Sequence, residues 1–313
     1  MDTSEARLDT STAKLSVLAD DANICGEAPI WDAQTDCLWW SDCDGSKFFR
    51  YDWRSARHEL VKEGVQVNGC VLNEPGGFVI TNNSGVWLWD ASSQPRLVAA
   101  EADGFPCQLN DCIADPKGRL ITGSWFFETG KEPQPIAKLF CVETNGRVRV
   151  LDEGFYLSNG LGFSLDKRTL YFADSIARSV FAYDYDTECG QVSNRRVFVQ
   201  FRKESGVPDG LTVDGEDFVW IAEWYGSQIV RYDPDGKLER RLNSPAKQTS
   251  SLIFGGPDLT DICITSAGVY QEPIPLMPPG YDVESGYRGG ALYHINLGIQ
   301  GKPDFKTNIG LSV

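Results

Sequence analysis

One repeat decides most of what this chain can become. A strand, a turn, a strand ending in aromatic or acidic residues, another turn and a third strand recur six times along 313 residues, with a spacing of roughly 40–50 residues. The copies run through Ile30, Cys37–Asp42 and Lys47–Asp52; Gly69–Leu72, Gly77–Thr81 and Gly85–Asp90; and Cys112–Asp115, Arg119–Gly123 and Lys138–Val142. They continue through Leu161–Ser164, Thr169–Asp174 and Ser179–Asp184; Leu211–Asp214, Phe218–Ala222 and Gln228–Asp233; and Leu252–Gly255, Asp261–Thr265 and Gly290–Ile295. Alternation marks these runs as strands, and no long stretch has helical periodicity. A solenoid repeat is shorter, and a sandwich does not recur six times. The expectation is an all-β, six-bladed β-propeller with four-stranded antiparallel blades around a central metal-binding channel.

Residues 1–313 are read as a single domain, with 1–13 a flexible leader. Lys14–Leu18 is a spare strand, expected to complete the last blade and close the ring. Asp115-Pro116-Lys117-Gly118 and Asp233-Pro234-Asp235-Gly236 are read as tight turns, Pro fixing one φ and Gly supplying a positive one. Two longer connections, Trp125–Ile136 and Ala267–Gly289, are candidates for loops over a site.

The formal charge of −15 argues against nucleic acid and anionic membranes as partners. The polar start lacks the apolar core of a signal peptide, and no apolar run is long enough to span a bilayer. Nine cysteines, odd in number and without a C-x-x-C pair, read as reduced thiols of a cytoplasmic protein. A single bridge involving Cys25 or Cys107 is the alternative.

In a propeller the first strand of each blade lines the channel. That register gathers Glu27, Asn68, Asn110-Asp111, Asn159, Asp209 and Ser251 at its mouth. Buried polar groups are costly unless paired or bound to an ion. Glu27, Asn159 and Asp209 offer hard oxygen ligands, which suit one divalent cation: Ca²⁺ best, with Mg²⁺, Mn²⁺, Fe²⁺ or Zn²⁺ as alternatives. The competing reading is a hydrogen-bonded plug.

Other signals are weaker. Asp184–Gly190 hints at an EF-hand, but Cys189 stands where that loop needs Gly, so a hairpin turn is expected. His58 and His294 are the only histidines, which argues against a Ser-His-Asp triad or a three-histidine zinc site. No phosphate-binding G-x-x-x-x-G-K-[ST] loop is present. Trp125, Phe126, Phe127, Trp224 and Tyr225 fall near the expected mouth, as a pocket wall or as packing between blades.

Gly26-Glu27-Ala28-Pro29, Asn110-Asp111 with Asp115–Arg119, Ser158-Asn159-Gly160-Leu161 with Tyr171–Ser175, Pro208-Asp209-Gly210 and Phe254-Gly255-Gly256 follow one another in order. The set resembles the gluconolactonase, regucalcin and luciferin-regenerating-enzyme family. The resemblance implies a six-bladed propeller with one divalent cation on Glu27, Asn159 and Asp209. It implies substrate contacts by Asn110 and Glu128, and hydrolysis of a sugar lactone such as an aldonolactone. Gln108 stands where sugar-lactone members commonly carry Arg, which removes a fixed bidentate donor; it is expected to orient substrate beside Asn110. Cys112-Ile113 replaces the Gly-Lys that often follows Asn-Asp.

The expected chemistry is polarisation of the lactone carbonyl by the cation, with Asp209 the general base toward water. Competing readings are a metal-dependent hydrolase of a more apolar ester, lactone or phosphotriester, a non-catalytic calcium- or ligand-binding propeller, and a protein-interaction propeller.

Overall fold

The computed structural model describes residues 15–126, 131–269, 277–282 and 284–310. Six four-stranded antiparallel sheets form the ring. Blade one is Gly26–Asp32, Cys37–Asp42, Lys47–Asp52 and Arg57–Glu63; blade two is Gly69–Leu72, Phe78–Asn82, Gly85–Trp89 and Arg96–Ala99. Blade three is Leu109–Ala114, Leu120–Ser124, Ala137–Val142 and Val148–Phe155; blade four is Ser158–Phe163, Thr169–Asp174, Ser179–Asp186 and Gln191–Gln200. Blade five is Val207–Val213, Val219–Trp224, Gln228–Tyr232 and Leu238–Asn243. Blade six takes Thr249–Gly255, Asp261–Ser266 and Ala291–Asn296 from late in the chain, and its outer strand is Ser16–Asp20.

That last pairing closes the ring. Ser16 faces His294 and Val17 faces Tyr293 in antiparallel register, so the first strand of the chain is held by the last. The expected closure is therefore observed; its proposed first residue, Lys14, and the leader 1–13 lie outside the described residues. Gly118 and Gly236 adopt φ of 83° and 78°, and their N–H groups donate back to Asp115 and Asp233. Asp184–Gly190 is a hairpin turn in which Asp186 accepts from the backbone of Glu188 and Cys189. Among the described residues no helix is long and apolar enough to cross a membrane.

Apolar side chains fill the spaces between blades. Phe48 of blade one sits 5.3 Å from Phe78 and 5.0 Å from Trp89 of blade two, ring centre to ring centre. Such edge and tilted contacts add to the area each ring buries. Polar ties brace the strands within a blade: in blade five the buried Asp214 carboxylate receives both Trp220 Nε1 and Arg231 Nε at 2.8 Å.

The C-terminal segment crosses beneath the ring, a feature that sequence periodicity does not announce. Gly215 N–H donates to Gln300, Thr307 N–H to Leu72 and Asn308 N–H to Gly118. Asn73 receives Ile309 N–H and returns its amide to the Ile309 carbonyl. Lys302, Asp304 and Phe305 consequently line the lower cavity of the channel together with inner-strand residues.

The inner strands approach one another closely around the axis. A Cβ on Gly160 would lie 2.3 Å from the Leu211 backbone nitrogen, and one on Gly210 would lie 2.1 Å from Ser251 Oγ. No side chain fits at either point without moving a neighbouring backbone. Substituting Gly160→Ala is expected to destabilise the fold at the upper end of the about 1–3 kcal/mol typical of overpacking. Urea denaturation measures this, and a midpoint equal to wild type would contradict the close approach.

Candidate metal centre

A regular strand sends alternate side chains to opposite faces of its blade, and neither direction aims along the channel. Five inner strands break that rule. Register shifts occur between Glu27 and Ile30, Leu109 and Cys112, Ser158 and Leu161, Pro208 and Leu211, and Thr249 and Leu252. In each, two residues oppose one, as in a β-bulge, which re-aims side chains. The displaced positions hold Asn110-Asp111, Asn159-Gly160, Asp209-Gly210 and Ser250-Ser251. In blade one Glu27 immediately precedes the bulge, and Ala28 takes a φ of 48°.

The orientation of Asn159 follows from hydrogen-bond bookkeeping. Ser175 Oγ donates its one proton to the Pro208 carbonyl at 2.7 Å. It must therefore accept from Asn159, whose Nδ2 lies 2.9 Å away. That turns Asn159 Oδ1 the other way, where it accepts from Asn110 Nδ2 at 2.9 Å. Asn110 Nδ2 also donates to the Ser158 carbonyl at 2.9 Å, so its own orientation is settled. An amide oxygen has two lone pairs; Asn159 Oδ1 keeps one for a further partner. The chain of bonds crosses blades three, four and five.

The carboxylates are less well compensated: Glu27 Oε2 accepts only the Ala28 N–H, at 3.2 Å, among the hydrogen bonds described. Glu27 and Asp209 line a cavity of about 180 Å³ with Asn68, Asn110, Asn159 and Ser175, and among the described residues no Lys, Arg or His joins that lining. Burial, and then the nearby Asp209, Cys43 and Asp111, hold the Glu27 carboxyl well above the usual range. Burial and the neighbouring Asp111 do the same to Asp209. Asp111 is pushed up to about 6 by burial, against the Cys112 N–H that favours its charge. Buried acids that repel one another without a cationic side chain are stabilised by a cation or by protons. Two carboxylates and an oriented amide oxygen are a hard donor set, and they fit a divalent ion such as Ca²⁺.

Most of the predicted constellation comes together. Glu27, Asn159, Asp209, Asn110 and Asn68 share the cavity, while Asp111 and Ser251 face the lower one. Gln108 stands outside both linings; its carbonyl accepts the Trp125 N–H at 3.2 Å. Glu128 and Phe127 lie outside the described residues. Trp125 and Trp224 form part of the cavity wall with Leu157 and Val207. Phe126 packs edge-on against Phe105 at 5.2 Å instead. Tyr225 packs against Trp224 and against Tyr281 of the long blade-six connection. His58 pairs with Asp21 and His294 with Asp261, away from the cavity.

Several lining groups were not singled out from the sequence as site residues: Ser175, Gln66, Asn83, Cys25, Cys43 and Asp44. Ser175 carried a readable signal, since it follows the acid that ends a second strand. The others sit on connections whose length and path the repeat does not determine.

Comparison with known proteins agrees with this architecture. Residues 25–268 match the model of the SMP-30/gluconolactonase/LRE-like region. Pentonolactonase XacC of Haloferax volcanii is 32% identical over 290 residues, covering 91% of this chain and 95% of that protein. A solved luciferin-regenerating enzyme superposes with a TM-score of 0.84 at 26% identity, covering 95% of this chain and 100% of that one. A calcium-binding protein, regucalcin, from Agrobacterium tumefaciens superposes with a TM-score of 0.79 at 25% identity, covering 94% and 97%.

Two outcomes follow from the geometry. Ser175→Ala frees the Asn159 amide to turn, and is expected to weaken Ca²⁺ binding about 10–100-fold, as loss of a ligand's supporting partner does. Calorimetric titration measures it; unchanged affinity would remove Ser175 from the site. The second concerns pH. With folded values raised above the unfolded carboxylate range near about 4, the cation-free fold binds more protons than the unfolded chain. The stability that these three carboxyls contribute is therefore fully present at low pH and falls as pH rises through the raised values, with the Asp111 share lost by about 6. Added Ca²⁺ should raise the melting temperature more at neutral pH than at pH 5, and a cation-free stability that rises over that interval would contradict the assignment.

Proposed function

The chain belongs to the SMP-30/gluconolactonase/LRE-like family, and we propose that it is a metal-dependent lactonase that opens a sugar lactone, an aldonolactone, to its hydroxy acid. The reading rests on one observation above the others. The half-buried Glu27 and buried Asp209 carboxylates and an oriented amide oxygen line one cavity with no basic side chain beside them among the described residues. The relative named a pentonolactonase supports the substrate class, and the calcium-binding neighbour supports the cation.

Glu27, Asn159 and Asp209 would hold one divalent cation, Ca²⁺ by preference. Bound there, the cation would supply Lewis acidity to a carbonyl and stabilise its developing oxyanion. Asp209 is the general base: it takes the proton from the attacking water. Asn110 has committed its amide N–H groups to Ser158 and Asn159. Its Oδ1 is thus the atom left to accept a hydrogen bond from a lactone hydroxyl. Gln66, Asn68 and Asn83 line the cavity on blade two and add amide groups for further hydroxyls. Gln108 stands outside the cavity lining, and Glu128 keeps the role in substrate contact that the family resemblance implies. The whole chain acts as one propeller unit in the cytoplasm, a location in keeping with nine free cysteines.

The wall of Trp125, Leu157, Val207 and Trp224 favours a second reading of the substrate, a lactone or ester with one apolar face. A panel of aldonolactones, aromatic lactones and a phosphotriester, each assayed after chelation and Ca²⁺ add-back, separates the two. Asp209→Asn is expected to lower kcat on the best substrate by about 10²-fold or more. Full activity in that variant, or activity untouched by complete cation removal, would sink the proposal. Failure on the whole panel with Ca²⁺ bound would point to a non-catalytic binding propeller.

A further inference from the structure

The upper rim of the cavity carries chemistry that the hard-cation site does not use. The sulfurs of Cys25 and Cys43 and a carboxylate oxygen of Asp44 all lie within 4.8 Å of one another, and all three residues line the cavity beside Glu27. Cys25 is buried, Cys43 half-buried and Asp44 exposed, so the group is reached from the channel mouth.

The backbone that presents these atoms is built. The buried Asp42 carboxylate accepts from Ile24 N at 3.0 Å, Cys25 N at 2.9 Å and Gly45 N at 2.9 Å. Cys43 N–H donates to the Cys25 carbonyl at 2.9 Å. Position 45 has to be glycine, because a Cβ there would stand 2.3 Å from Asp42 Oδ2. One carboxylate therefore holds both thiol-bearing segments, and the loop that carries Asp44 is folded back around it.

We propose that Cys25, Cys43 and Asp44 form a second metal site, for a thiophilic divalent cation such as Zn²⁺, on the cavity wall beside the hard oxygen ligands. Two thiolates and one carboxylate are the softer donor set that selects Zn²⁺ over Ca²⁺. Zinc sulfur bonds are about 2.3 Å long and tetrahedral, which sets two sulfurs about 4 Å apart, a separation that fits ligand atoms already within 4.8 Å of one another. The fourth position falls to water or to a Glu27 oxygen. Binding one cation replaces two S–H bonds by two sulfur–metal bonds and releases two protons to the buffer. The inference does not depend on the lactonase reading.

Cadmium tests it, because cadmium thiolates give an ultraviolet charge-transfer band. Fully reduced protein, with Ca²⁺ in excess, is titrated with Cd²⁺ and then with Zn²⁺ in competition. One equivalent of band-forming Cd²⁺ is expected, displaced by Zn²⁺. Cys25→Ser and Cys43→Ser should abolish the band, Cys189→Ser should leave it, and Asp44→Asn should weaken binding at least about tenfold. Asp209→Asn should retain it, which separates this site from the axial one. Ca²⁺-dependent thermal shifts of the serine variants show that they are folded. The proposal is overturned if wild type gives no band, if both serine variants keep it, if Asp209→Asn loses it, or if thiol counting shows the Cys25–Cys43 pair isolated as a disulfide.

Discussion

Everything in this molecule turns on how closely the inner strands pass one another at the axis. At Gly160 and Gly210 the next blade's backbone or Ser251 occupies the space a side chain would need. Glycine is retained there for steric reasons, since neither position adopts a positive φ. The same approach forces the ladder to yield, and it yields as bulges in blades one, three, four, five and six. The bulges aim Asn110, Asn159 and Asp209 into the channel. Packing and chemistry are therefore one constraint: the dipeptides Asn159-Gly160 and Asp209-Gly210 couple a ligand to the hydrogen-only position that lets its blade fit.

A second device repeats at the ends of second strands. Asp42 and Asp174 each receive two backbone N–H groups from the segment that enters their own blade and one from the turn that follows the acid. This satisfies donors that would otherwise be buried unpaired, and it sets the entry angle of the inner strand. In blade four the residue after the acid, Ser175, reaches Pro208 of blade five and Asn159 of its own blade. Its single proton is what makes the Asn159 oxygen, rather than its nitrogen, available to a cation. Site geometry thus passes from the fold to the ligand through ordinary strand-end capping.

How much of this was legible depended on whether the physics was local. Six blades, their turns and the ring closure by Ser16–Asp20 follow from alternation, from turns such as Asp115–Gly118 and from one unmatched strand at the start. Glu27, Asn159 and Asp209 were readable because each stands at the bulge of an inner strand, Asn159 and Asp209 within it and Glu27 one residue before it. The crossing of residues 300–310 beneath the ring was not, because it uses backbone bonds to Leu72 and Gly118 and a single side chain, Asn73, which leave no repeating pattern in side-chain type. Gln108 was expected beside the substrate and stands outside the cavity lining; adjacency in sequence to Asn110 does not survive the bulge that follows Leu109. The thiol pair escaped for a related reason. Cys25 and Cys43 lie on separate segments, and only the register that pairs Gly26 with Asp42 makes them neighbours.

The cavity combines surfaces that one small, fully hydroxylated ring does not need together. Amides from blades two, three and four face one side, and Trp125, Leu157, Val207 and Trp224 form another. Met277 and Tyr281, on the long connection of blade six, pack against the cluster that contains Cys25, Val207, Trp224 and Tyr225. That connection is anchored by Lys247, whose ammonium meets the Ser285 carbonyl and lies 4.4 Å from the Tyr281 ring centre. An apolar wall supported in this way gains little from contact with hydroxyls, which it would leave desolvated and unpaired. It gains from a flat carbon face. On the proposed lactonase reading, a substrate that satisfied both would carry its hydroxyls toward the amides of blade two and one hydrocarbon face toward Leu157, Val207 and Trp224, with its carbonyl at Glu27, Asn159 and Asp209. Within the lactones, that would select by shape and facial polarity and not by the number of hydroxyls alone.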